Sequence, residues 1–211
     1  MVSILQYLLK KIMAGAFLSN KIIEQVLFFG ASRAYLIDPK EIPITWKASL
    51  LCLDCNVSKN FLMKRWSCPP YSPLLEKTKK ILSDYNDALV VNIEAKFWPL
   101  TNHSYNTLNP FYQIAQKIFC HYYWRKLHFI MLQMKWYLSQ EYDVFSWGSS
   151  PCHGCFKCSY PFRCRKSKLF LFSPEASGID LYSLAKRLGL PIEIPPRNKI
   201  QLLSLLVFCK K

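Results

Sequence analysis

The 211-residue chain is 51% hydrophobic, 15% aromatic and 19% charged, which excludes a disordered chain, since that would be polar and poor in aromatics. Thirteen prolines against six glycines exclude a flexible linker protein. The net charge of +15 suits either a lysine-rich solvated surface or an anionic partner: nucleic acid, lipid, an acidic protein or an anionic cofactor; composition alone does not choose. Residues 1–211 are expected to form a single domain, with 1–20 as an N-terminal helical extension.

Residues 3–29 read as one or two helices, the second over Lys21–Phe29 and ended by Gly30. Ala34–Ile37 reads as a short strand and Ile44–Leu53 as a longer one, which sets the first cysteine pair at a strand end. Ser72–Tyr85 is a helix entered through Pro73, and Ala88–Phe97 a buried strand rich in Val and Ile. Between Phe111 and Leu138 the apolar residues form a helical stripe, in one piece or two. Arg125, Lys126 and Lys135 interrupt it, so it is no bilayer span, which needs roughly 20 largely uncharged residues. Val144–Trp147 is a strand, Gly178–Leu188 a helix stopped by Gly189 and Pro191, and Leu202–Phe208 a closing strand. The alternation predicts an α/β (or α+β) fold, with a single mixed sheet flanked by helices and two cysteine-rich metal-binding loops at strand ends. The N-terminal charges follow the apolar stretch, opposite to the order of a secretory signal, so a cytoplasmic location is expected.

Seven of the nine cysteines fall into two groups. The first is Cys52, Cys55 and Cys68, within loop 52–68. The second is Cys152, Cys155, Cys158 and Cys164, within loop 152–164. An odd total without a secretory leader argues against disulfides. Structural zinc usually takes two separated Cys/His pairs, whereas C-x2-C-x2-C is the spacing of a [4Fe-4S] cluster. An iron–sulfur cluster is therefore the leading cofactor and zinc the alternative. The second group's four sulfurs are expected to converge on one point and the first group's three on another, the two able to share one edge of the sheet. Lys157, Arg163 and Arg165 lie among the second group with no acid between them, placed to bind the anionic cofactor. His153 reads as a solvent-facing loop residue, and His121 and His128 as packing or capping residues. Cys120 and Cys209 read as inert thiols, and Asp54, Glu175 and Asp180 as polar neighbours or helix caps.

Several short motifs occur in a characteristic order: Phe29-Gly-Ala-Ser-Arg-Ala-Tyr-Leu-Ile-Asp38, Trp66-Ser-Cys-Pro-Pro-Tyr-Ser-Pro73, the Cys152/155/158/164 pattern, Ser173-Pro-Glu-Ala-Ser-Gly-Ile-Asp180 and Lys186-Arg-Leu-Gly-Leu-Pro191. Together they resemble the DUF2284 family of predicted metal-binding proteins, with Ser150 where the family tends to carry glycine. The resemblance implies metal binding across both cysteine groups and supplies no reaction. Two function classes stay open. One is an iron–sulfur electron-transfer protein or accessory redox subunit, with an acidic redox partner. The other is a zinc-stabilised module whose basic patch holds nucleic acid or an acidic protein; no sequence-specific nucleic-acid binding is expected. A third possibility is an enzyme whose three-cysteine first group leaves an iron open to substrate. No nucleophile–base pair, phosphate loop or nucleotide fingerprint supports a conventional active site.

Overall fold

The computed structural model describes residues 19–54, 64–96, 110–149, 151–190, 192 and 199–211. The N-terminal residues 1–18, Cys55, Ser150 and Pro191, on which parts of the sequence reading fall, lie outside them. A helix over 19–28 (α1) leads to strand β1, Arg33–Ile37. Helices α2 (Trp46–Asp54) and α3 (Leu75–Asp84) precede β2 (Asp87–Lys96). The long helix α4 (Pro110–Leu138) is followed by β3 (Tyr142–Trp147), α5 (Leu181–Arg187) and β4 (Lys199–Lys210).

The strands form one sheet in the order β1-β2-β4-β3. Every pairing is antiparallel, with Val90 opposite Leu205 and Phe145 opposite Val207. A single sheet flanked by helices is the expected architecture; within it the pairing is uniform rather than mixed.

Strand side chains alternate between faces, and β2 and β4 are apolar on both, so each face must be covered. Leu89, Val91 and Ile93 meet Leu127, Ile130, Met131 and Met134 of α4, with Ile22 and Val26 of α1. On the other face Val90, Leu203, Leu205 and Val207 meet Leu82 of α3 and Leu184 and Ala185 of α5. The α4 residues recur at helical spacing, which gives the helix one buried stripe. Among the described residues no helix is long and apolar enough to cross a membrane.

The helix ends follow from the residue types. Gly30 and Gly189 adopt φ of +96° and +68°, the left-handed conformation that glycine enters without strain. Asp180 caps α5 by accepting from the Ser183 N–H at 2.9 Å. Asp180→Ala should therefore cost about 1 kcal/mol, measured by urea unfolding; an unchanged midpoint would show that the cap contributes nothing.

One element differs in kind. Ile44–Leu53, expected as a strand, contains the helix Trp46–Asp54, so Cys52 sits in a helix and not at a strand end. An apolar run cannot by itself separate strand from helix. The overlooked signal is that residues 46–54, Trp-Lys-Ala-Ser-Leu-Leu-Cys-Leu-Asp, contain no β-branched side chain. The Thr45 hydroxyl also accepts from the Lys47 N–H at 3.3 Å where the helix begins.

Candidate metal centre

The second cysteine group occupies a loop that leaves the sheet at the end of β3 and returns beside it. The Gly148 N–H donates to the Phe172 carbonyl at 2.8 Å, and Trp147 bridges to Phe172, so the loop's two ends are joined. Within it, Cys152, Cys155, Cys158 and Cys164 all line one pocket, together with Arg65 and Lys166. The four cysteines of the second group thus border the same pocket. The cavity is about 20 Å³, room for about one water-sized group. Among the described residues no three Cys, His, Asp or Glu side chains stand as a ready-made metal site.

The loop closes on the carbonyl of Leu169. The Cys152 thiol donates to it at 3.8 Å and His128 Nε2 lies 2.8 Å from it. Gly154 packs so closely on Leu169 that a Cβ would sit 2.5 Å from this oxygen and 2.9 Å from Leu169 Cβ. Glycine is needed here for space.

The first cysteine group is arranged differently. Cys52 lies in α2 and Cys68 is buried in the turn that follows Arg65; neither lines the pocket. Cys55 and the side chain of Asp54 lie outside the described residues. The segment around Cys68 instead clamps the second loop. Arg65 Nη1 donates to the Cys152 carbonyl at 2.6 Å, the Ser67 hydroxyl accepts from the Cys152 N–H at 2.6 Å, and Trp66 Nε1 donates to the Phe162 carbonyl at 3.0 Å. Ser67 is itself buried, with its carbonyl accepting from the Ser72 hydroxyl at 2.7 Å. Trp66, Tyr71 and Tyr160 pack edge to face beside the clamp, with centroids of Trp66 and Tyr71 4.7 Å apart. The segment around Cys68 is therefore adjacent to the second loop, through side-chain-to-backbone bonds that no spacing motif announces.

Three histidines back the loop. His153, expected to face solvent, is buried: its ring stacks on Trp124 and meets His121 edge-on at 5.3 Å. Its backbone N–H reaches His128 Nδ1 at 3.4 Å, so neutral His128 carries its proton on Nε2 and donates to Leu169. Burial is the main cause that lowers His128 to about 4 and His153 to about 3, with Arg65 and Arg125 adding repulsion. Both rings are neutral at pH 7. The two His153 ring nitrogens are buried without a hydrogen bond among the described residues.

Burial also pushes the Cys152 thiol up, opposed by hydrogen bonds from backbone N–H groups and by Arg65. Lys157, Arg163 and Arg165 are exposed and do not line the pocket; the cations that do are Arg65, which sequence reasoning missed, and Lys166. Cys120 and Cys209 are partly buried, and burial pushes the Cys120 thiol up, in keeping with an unreactive thiol.

A family model described as predicted metal-binding protein, DUF2284, matches residues 35–208. The chain belongs to the DUF2284 family. Comparison with the curated proteins found no match, and neither did comparison with the solved structures. The match runs from within β1 to within β4 and takes in the clamp and both cysteine groups. The donor set fits a metal: four cysteines share a pocket with two cations, and thiolates are the preferred ligands of zinc and of iron–sulfur clusters.

Proposed function

We propose that Cys152, Cys155, Cys158 and Cys164 hold the metal centre of this DUF2284 protein, and that the centre is an iron–sulfur cluster used for electron transfer, alone or as an accessory redox subunit. The observation that carries the proposal is the meeting of these four cysteines around one pocket. Such a cluster supplies one-electron chemistry, with a potential set by net charge, hydrogen bonds and solvent exposure. Arg65 and Lys166 offset the negative charge of the thiolates at the pocket, and exposed Lys157, Arg163 and Arg165 add a weaker, salt-screened field. Arg65, Ser67 and Trp66 hold the loop. The Cys152 proton, now donated to Leu169, must leave when metal binds, so loading releases protons and strengthens with pH.

The donor chemistry supports a second reading, a zinc-stabilised binding module, because four thiolates are also a zinc ligand set. Anaerobic purification with metal analysis, absorption and EPR separates the two. A cluster gives broad visible absorption and a reducible EPR signal, both lost in Cys155→Ser while the fold persists. Colourless protein that stays colourless after iron–sulfide reconstitution, binds zinc stoichiometrically and loses about one zinc in Cys155→Ser would replace the redox reading with the zinc one.

A further inference from the structure

The outer surface of the same loop has a separate chemistry. Phe156 and Phe162 project with 85% and 78% of their surface exposed. Each is followed directly by a cation, Lys157 and Arg163, with Arg165 close by, and all three cations are exposed. No acid occurs between Asp143 and Glu175, and among the described residues none of these cations forms an ion pair. The rings are presented from fixed points. The Phe162 carbonyl is held by Trp66 Nε1, and the Phe156 ring lies edge-on to His121 at 6.3 Å.

We infer that this surface binds single-stranded nucleic acid without sequence preference, the phenyl rings stacking on bases and the cations pairing with phosphates. Exposed aromatics interleaved with cations are what single strands require, because every base offers a face to stack on. Other anionic partners fit less well. Residues 152–168 contain no Leu, Ile, Val, Met or Trp, so the loop lacks the apolar bulk that membrane-inserting segments carry. An acidic protein would be satisfied by the cations and leaves two phenyl rings unexplained. No α-helix lies in the loop to enter a duplex groove.

Fluorescence anisotropy with the full-length protein and a labelled oligothymidine of about 20 nucleotides tests the inference, with bound metal measured on the same samples. Wild type should bind at low salt. Phe156→Ala and Phe162→Ala should each weaken binding about tenfold at unchanged salt slope and unchanged metal content. Neutralising Lys157, Arg163 and Arg165 to Gln should flatten the slope of log affinity against log salt by about two. Absence of binding at low salt, indifference to both Phe substitutions, tighter binding to a duplex of equal length, or preference for phosphatidylserine vesicles would each overturn it. Metal-free wild type that still binds with this Phe dependence supports the surface and refutes only the centre.

Discussion

If the proposed centre forms in the second cysteine loop, Gly154→Ala should weaken its metal binding while leaving the sheet folded. The added methyl would meet the Leu169 carbonyl at 2.5 Å and Leu169 Cβ at 2.9 Å, and backbone cannot swing aside as the end of a long side chain can. Overpacking of this kind costs about 1–3 kcal/mol, borne here by the loop. Leu169 also accepts from His128 and the Cys152 thiol, so any retreat of its carbonyl disturbs both. Loss of such supporting contacts weakens metal binding by about 10–100-fold. Metal content after dialysis and thiol labelling of Cys152 and Cys155 read the effect, and unfolding of the sheet supplies the control. A variant with wild-type metal content and wild-type thiol protection would show that the Gly154–Leu169 contact does not shape the centre.

Glu175→Gln should make the protein more stable at alkaline pH and no more stable in acid. Burial pushes the Glu175 carboxyl up to about 7 from 4.5, with Ser173 Oγ, 2.9 Å away, and a backbone N–H pulling it part of the way back. A carboxyl that holds its proton more tightly folded than unfolded contributes stability that is full below about pH 4.5. That contribution is lost as pH rises through about 7. A shift of this size corresponds to at most roughly 2 kcal/mol between pH 5 and pH 8. Glutamine resembles the protonated form and should escape the loss. Urea unfolding of both proteins at the two pH values isolates Glu175 from every other titrating group. If the two proteins differ by the same amount at both, the Glu175 carboxyl titrates alike in the folded and unfolded chain.

The framework was legible where periodicity and burial agree. The apolar residues of β2 and β4 and the α4 stripe from Leu127 to Leu138 could be placed from the sequence, because a buried strand and a one-faced helix leave distinct patterns. α2 was not legible as a helix: Leu50, Leu51 and Leu53 are exposed, so its apolar residues do not mark a buried face. At the site, the close cysteine spacing picked out the group that lines the pocket, because residues close together in a short loop also lie close in space. The clamp was hidden because Arg65 and Ser67 reach Cys152 across 87 and 85 residues through backbone atoms, which have no residue-type signature. Burial of His153 was hidden for a related reason: it depends on Trp124 and His121 of α4, which no local pattern ties to Cys152.

The bond between Gly148 and Phe172 makes the cysteine segment a handle on the sheet, its two attachment points side by side. Such a handle can change in length without altering strand order or register, provided its two attachment points and the clamp from Arg65, Trp66 and Ser67 are kept. The residues it carries can therefore change while the fold beneath stays the same.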